Sequence, residues 1–185
     1  KGLAMGAASA VQIADEKLLG ADLRLTAEVL AAAIEKTGYD LVIAGNSSTD
    51  GSGGMVPAMI AELLGVVSAT GLSTVEITDG AVTGTRPIDG GSQTITATLP
   101  AVISISEALP DARFPNFKGI MAAKKKPFET LSLADLAIDA DDLSQAHSIM
   151  LTVAERPPRE AGVKIVDEGD AGEKLAEFLI QNRLV

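Results

Sequence analysis

The 185-residue chain has no cysteine and no tryptophan, a single histidine (His147), one tyrosine and four phenylalanines. Without cysteine there are no disulfides, no thiolate nucleophile and no thiolate ligation of an iron–sulfur cluster, a composition that fits a reducing compartment. One histidine excludes a His-rich metal site, argues against a Ser-His-Asp hydrolase and reads as a structural residue. With aromatics at 3% and apolar residues at 46%, the core must be built from Ala, Val, Leu and Ile. Basic residues are also scarce. Fifteen Lys and Arg face 25 Asp and Glu, and the net charge of −10 argues against non-specific nucleic-acid binding. No apolar run reaches the roughly 18–20 residues that a membrane span needs, and no segment reads as a signal peptide.

What is present reads as an α/β pattern. Residues 7–14 ("AASAVQIA") have the look of a short strand. A helix is predicted over 21–36, with Ala27, Leu30, Ala31 and Ile34 at helical spacing and Gly38 as its stop. Residues 39–45 ("YDLVIAG") form an apolar run of buried-strand length. A helix over 55–64 follows, with Met59, Ile60, Leu63 and Leu64 as its inner face and Gly65 at the C-cap. Strand, helix, strand, loop, helix predicts a parallel sheet. Residues 73–106 are rich in Thr, Val and Ile and are punctuated by Asp79-Gly80 and Asp89-Gly90-Gly91, which predicts two or three antiparallel strands and then "AVISIS" as a further sheet strand. A short helix or turn is expected at 118–126, and Ser132-x-x-Asp135 is a weakened capping box. From about 155 the chain reads as an extended arm, ending in a helix over 170–182. The division expected is 1–154 as the α/β domain and 155–185 as an arm and helix that pack on a partner subunit.

The loop between the strand at 39–45 and the next helix, "GNSSTDGSGG", is the strongest candidate site. A helix N-terminus presents unpaired N–H groups and partial positive charge. Gly51, Gly53 and Gly54 permit left-handed backbone and close approach, and Ser47, Ser48, Thr49 and Ser52 add hydroxyls. The Walker pattern is excluded, because no lysine lies in the loop. The G-x-G-x-x-G pattern is excluded too, because its last position, counted from Gly51, is Val56. Asp50 suits a helix cap or a ribose hydroxyl. The loop alone leaves two readings open: a phosphate cradle, or a plain connection that binds nothing. On composition alone Phe114 and Phe117 read as core residues, Lys124, Lys125 and Lys126 as a solvated basic face, and Arg86 as a surface arginine beside a turn.

Several segments together resemble the electron transfer flavoprotein β-subunit family. "RPIDGGSQTITATLPAVISI" (86–105) is similar to that family's signature, with Arg86, Asp89, Gly90, Gly91, Gln93, Leu99, Pro100, Ala101 and Val102 in the matching positions. "RFPNFKGIMAAKKK" (113–126) resembles its recognition loop, and "GLAMGA" and "PPREAGVKIVD" are similar as well. The resemblance covers essentially the whole chain. The opening, without Met and without a first strand, is expected to lack about the first third of the family's domain.

The resemblance implies an adenine-nucleotide-α-hydrolase-like (Rossmann-like) parallel-sheet domain with an antiparallel hairpin addition and an extended C-terminal arm ending in a helix. It implies a nucleotide on Gly45, Asn46, Ser47, Ser48, Thr49, Asp50, Gly51, Ser52, Gly53 and Gly54: AMP in ordinary members, a second FAD in bifurcating ones. FAD is then carried by the α subunit. Phe117 takes the position of the family's docking leucine, with Ile120, Met121 and Lys124 beside it, facing acyl-CoA-type dehydrogenases. Arg86 is implied at the α-subunit interface, and Pro87 replaces an acidic residue found there in some relatives. The implied function is electron transport as a heterodimer, with no catalytic residue, no metal site, no nucleic acid and no membrane insertion. The implied location is cytoplasmic in a bacterium, or the mitochondrial matrix in a eukaryote. An ATP-using enzyme or a nucleotide-sensing domain of similar fold is the alternative.

Overall fold

The computed structural model describes residues 1–49, 51–142, 144, 148–159 and 161–185; the expectations placed on Asp50 and His147 lie outside them. In chain order the elements are α1 (Gly2–Met5), β1 (Ala10–Ile13), α2 (Leu23–Thr37), β2 (Leu41–Gly45), α3 (Val56–Leu64), β3 (Val67–Leu72), β4 (Thr74–Thr78), β5 (Ala81–Ile88), β6 (Gly91–Thr98), β7 (Ala101–Ile105), α4 (Phe117–Ala123), β8 (Phe128–Leu131) and α5 (Ala171–Gln181). Two 3-10 turns lie at Glu16–Leu18 and Ala134–Leu136. The chain divides into two compact units, Lys1–Met150 and Leu151–Val185. The fold is α/β with an antiparallel addition, as the sequence pattern implies.

In the first unit the parallel strands form two sheets, β1-β8 and β2-β7-β3, and the antiparallel strands form a third, β4-β5-β6. Strand β7 is the middle layer. Ala101 and Ile103 face a core with Ala69, Leu72, Val82 and Ala97, which come from β3 and the antiparallel sheet. Val102 faces the opposite way, into a core with Ala27 of α2 and Ile60 and Ala61 of α3. The period of two along a strand therefore sorts one apolar run between helices on one side and a sheet on the other. Each fully buried side chain of this size stabilises the fold by about 1.5–3 kcal/mol.

The buried polar side chain of β7, Ser104, has a specific partner. The register between β3 and β7 shifts between Ala69 and Leu72, where Gly71 takes φ +71°. The Gly71 N–H donates instead to the Ser104 hydroxyl oxygen at 2.8 Å. A small hydroxyl therefore satisfies the donor that the bulge would otherwise orphan.

Helix ends follow their sequence signals. Asp22 caps α2, its carboxylate accepting the Leu25 N–H at 2.8 Å, and Gly38 ends it at φ +75°. Gly65, left-handed at φ 66°, donates its N–H to the Ala61 and Glu62 carbonyls and closes α3. Both antiparallel turns are two-residue connections, Asp79-Gly80 and Asp89-Gly90, with the glycine at positive φ.

Several expectations change. Leu63 is exposed rather than on the inner face of α3, and Pro57 and Ala61 are buried in its place. Strand β3 was not anticipated, because its Ser-Ala-Thr-Gly run has neither bulk nor clean alternation. The antiparallel addition is a three-stranded meander, within the two or three strands expected. Ser132 and Asp135 do bond reciprocally, the Ser132 hydroxyl and N–H both donating to the Asp135 carboxylate at 2.7 and 2.8 Å, but they open only a 3-10 turn. In the second unit the described residues of 151–169 carry no regular secondary structure, and Val163, Val166 and Phe178 line one groove with Lys174.

Asp15 ties two loops together. One carboxylate oxygen accepts the Lys17 N–H at 3.0 Å and the other the Leu133 N–H at 3.2 Å. These hydrogen bonds, first Lys17 and then Leu133, hold the Asp15 carboxyl below its ordinary value. The depressed folded pKa means that the stabilisation is present above the unfolded value of about 3.9 and is lost as pH falls through the folded one. Asp15→Asn is therefore expected to lower the melting temperature at pH 7. The gap to the unmodified protein should close as unfolding is repeated at successively lower pH below about 4; a gap independent of pH would contradict this.

Candidate functional site

The pairing of β2 on β7, Leu41 opposite Ala101 through Gly45 opposite Ile105, sets where β2 ends. The chain leaves the sheet at Gly45, runs through the Gly/Ser loop and enters α3. Beside that loop stands the N-terminus of α2, and between them lies a cavity of about 360 Å³. Ligand pockets commonly span about 300–1,000 Å³.

Of the ten loop residues singled out from the sequence, Gly45, Asn46, Ser47, Ser48, Gly51, Gly53 and Gly54 line the cavity. Thr49 and Ser52 belong to the loop but are not among the lining residues. Ser52 braces the loop from within. Its N–H and hydroxyl donate to the Ser48 carbonyl at 3.1 and 3.2 Å, and it holds φ 49° in the left-handed region. Of the three loop glycines that permit left-handed backbone, Gly54 uses it, at φ +65°. Gly53 packs closely on Leu23: a Cβ there would lie 3.1 Å from Leu23 Cδ2, so that side chain would have to shift by a few tenths of an ångström.

The opposite wall was missed in the sequence. Asp22, Leu23, Thr26 and Leu30 of the α2 region line the cavity, and Pro57 and Ile60 of α3 complete its apolar side. Asp22 also accepts the Ser148 N–H at 2.6 Å, and the Thr26 hydroxyl donates to the Asp22 carbonyl at 2.7 Å. The available signal was the Asp22–Thr26 spacing at the start of a helix, which reads first as a cap and only the tertiary fold turns into a wall.

The lining combines neutral polar groups, glycine backbone and an apolar side. Asn46, Ser47 and Ser48 offer neutral polar groups, and glycine backbone allows close approach. Met55, the N-cap of α3, supplies no side-chain acceptor to the first N–H groups of the helix, and Pro57 sits in its first turn. No lysine or arginine lines the cavity among the described residues. An anion at this helix start would meet hydrogen-bond donors and the helix dipole, worth about 0.3–1 kcal/mol; the cations that phosphoryl transfer uses are not among the described lining residues. Apolar Leu30, Ala44, Val56, Pro57 and Ile60 suit a flat ring. Among the described residues no cluster of His, Asp and Glu has the arrangement of a metal site, and no helix is long and apolar enough to cross a membrane.

The other candidate residues lie elsewhere. Phe117 opens α4 and is 79% exposed, and Phe114 is 92% exposed, so the reading of both as core residues is corrected. Ile120 and Met121 are about half exposed on the same short helix, at 47% and 48%, and Lys124 follows it, exposed. The cause is local: Asn116 caps α4, its side-chain oxygen accepting the Gly119 N–H at 2.7 Å, and none of the described strands covers the outer face. Arg86, on β5, is half-buried, its Nε donating to Gln93 Oε1 at 3.0 Å and Nη1 to the Thr70 carbonyl at 3.4 Å. With Asn46, Gly71, Ser73, Ser106 and Glu107 it lines a second depression.

A family model described as "Electron transfer flavoprotein domain" matches residues 1–136. A Mycobacterium leprae (strain TN) protein named "Electron transfer flavoprotein subunit beta" is 45% identical over 188 residues, which is 100% of this chain and 71% of that protein. Proteins of the same name are 36% identical over 178 residues in Syntrophomonas wolfei (96% of this chain, 67% of the relative), and 33% identical over 180 residues in Bacillus subtilis (strain 168) (96% and 68%).

Gly54 isolates the backbone contribution of the loop. A Cβ there has room, with the Asn46 carbonyl oxygen at 3.7 Å, so the cost of Gly54→Ala is the left-handed backbone alone. The variant is expected to unfold with about 1–2 kcal/mol less stability in denaturant titration; no change would mean that the loop does not hold this conformation.

Proposed function

The chain belongs to the electron transfer flavoprotein β-subunit family, and from that premise we propose that it binds AMP in the loop cradle as a structural ligand, docks acyl-CoA-type dehydrogenases through α4 and supports the FAD-carrying α subunit. The observation that carries the AMP reading is the composition of the cradle: backbone amides and hydroxyls of the loop that enters α3, apolar Leu30, Val56, Pro57 and Ile60 beside them, Asp22 and Thr26 on the α2 side, and no lysine or arginine in the lining among the described residues. Such a site retains a monophosphate and gives a triphosphate no partner for its charge or its transfer. FAD on the α subunit supplies the redox chemistry when bound; the residues of this chain hold, orient and recognise. Thr49 and Ser52 belong to the same loop and complete the proposed contact set by shaping its path, and Asp50 is proposed with them as a partner for a ribose hydroxyl.

Phe117 is the proposed anchor. An aromatic side chain 79% exposed on a capped helix, beside half-exposed Ile120 and Met121, gains most when a partner covers it. Lys124 beside it steers the encounter with an acidic partner surface, an effect that salt weakens. Arg86, half-buried and bonded only to neutral groups among the described residues, is the proposed contact to the α subunit. The arm and α5 are proposed to pack on that subunit, consistent with exposed Leu151, Val153 and Leu175. The matched relatives being bacterial, the bacterial cytoplasm is the setting proposed here, with the mitochondrial matrix as its counterpart in a eukaryote. A bifurcating member with FAD in the same cradle is the second reading, and the ligand itself decides between the two.

Heat denaturation and filtration of the purified αβ complex is expected to release AMP in near-stoichiometric amount, identified by mass spectrometry. FAD in excess of the α-subunit complement would select the bifurcating reading, and neither nucleotide would reject the site. Bound at about 100 times its Kd, such a ligand stabilises the fold by about 2.7 kcal/mol. Phe117→Ala is expected to slow reduction by an acyl-CoA dehydrogenase roughly ten- to a hundredfold, the kinetic equivalent of about 1.5–3 kcal/mol of lost burial, with the flavin spectrum unchanged. An unaltered rate would remove the anchor role.

A further inference from the structure

Lys126 ends the lysine run, but it is not solvated as Lys124 and Lys125 are. Its Nζ donates to the Leu3 carbonyl at 2.9 Å and to the Ala7 carbonyl at 2.5 Å. Leu3 lies in α1 and Ala7 just past it, where a helix this short leaves its last carbonyls without partners. The ammonium takes the place of the missing N–H groups.

Gly119 joins the same two segments by a second route. A Cβ on Gly119 would lie 2.3 Å from the Ala4 carbonyl oxygen, closer than side chains ever come. The backbones of α4 and α1 are thus in direct contact, and any larger residue would drive them apart. Gly119 is not at positive φ, so the requirement is space and not conformation. Immediately beyond Lys126, the Pro127 carbonyl accepts the Ala10 N–H at 3.1 Å and starts the β1-β8 ladder. Helix α4 is therefore held against residues 2–7 at its middle by Gly119 and past its end by Lys126, while Phe117, Ile120 and Met121 remain open to solvent.

We propose that Lys126 and Gly119 are positioning residues of the docking surface, which lock α4 onto the residue 2–7 turn so that its apolar side chains meet a partner dehydrogenase preorganised. This rests on the docking role proposed for Phe117. The lysine run is then divided in function. Lys124 acts through long-range charge, whereas Lys126 spends its charge on two carbonyls and acts through geometry. Holding α4 in its bound orientation removes ordering cost from the encounter.

The test uses the αβ complex containing the full chain, in variants Lys126→Met, Gly119→Ala, Lys124→Met and Phe117→Ala. Acyl-CoA dehydrogenase turnover is measured with each complex as the acceptor, at several salt concentrations. Amide hydrogen exchange of residues 2–7 and 117–123 is measured without the dehydrogenase. Lys126→Met is expected to raise the KM for the acceptor roughly tenfold, with kcat within about twofold. It should leave the salt dependence of kcat/KM unchanged, whereas Lys124→Met flattens it, and it should speed exchange in both segments together. Gly119→Ala, which keeps every lysine, is expected to give the same KM and exchange pattern, and it carries the test if Lys126→Met does not fold. If Phe117→Ala raises KM but neither positioning variant does, or if exchange in 117–123 is unchanged in both, the positioning role is overturned. If Phe117→Ala has no effect, it is the docking reading that fails, and coupled exchange of the two segments still reports the lock.

Discussion

The structure depends on the burial of β7. Its residues are enclosed on both faces, Ala101 and Ile103 against the antiparallel sheet and Val102 against α2 and α3. Because β2 and β3 both pair with it in parallel, one strand fixes where each of them ends. A slip of one residue would turn Val102 and Ser104 towards the wrong core and strand the Gly71 N–H that Ser104 satisfies. The end of β2 at Gly45, and so the position of the cradle, follows from that register.

Two surfaces of different chemistry result. The cradle is built mostly of backbone and short side chains, so its specificity lies in where the main chain runs, and left-handed Gly54 shapes that path. The α4 surface is the reverse: its backbone is locked by Asn116, Gly119 and Lys126, and its side chains are left free. Among the described residues no group of His, Asp and Glu is arranged to hold a metal ion at either surface. That division suits the proposed role, in which this subunit holds a nucleotide and recognises partners.

Much of this was legible in the chain. The helices at 21–36 and 55–64, the two Asp-Gly turns and the strand at 101–105 carry strong local signals, since periodicity, caps and turn glycines act within a few residues. Strand β3 was hidden because its small residues are chosen for the bulge and for close packing against β7. The outward turn of Leu63 was hidden because α3 is apolar over most of its surface, and periodicity alone does not select the buried side. Most of the cradle could be named from the loop. The wall formed by Asp22, Thr26 and Leu30 could not, because it arises only when α2 is brought alongside. For the lysine run, sequence supplied the charge but not the two carbonyls that claim Lys126. The exposure of Phe117 was suggested by family resemblance and not by hydropathy, which counts any phenylalanine as core.

In the proposed arrangement, main-chain N–H groups between Gly45 and α3 clamp a nucleotide that braces the fold. The most direct measurement is amide hydrogen exchange across residues 45–58 in the αβ complex, before and after its nucleotide is stripped with charcoal and again after AMP is returned. The account expects slow exchange in the complex as purified, fast exchange confined to this segment and the facing start of α2 after stripping, and recovery with AMP. Exchange in that segment indifferent to all three conditions would contradict it.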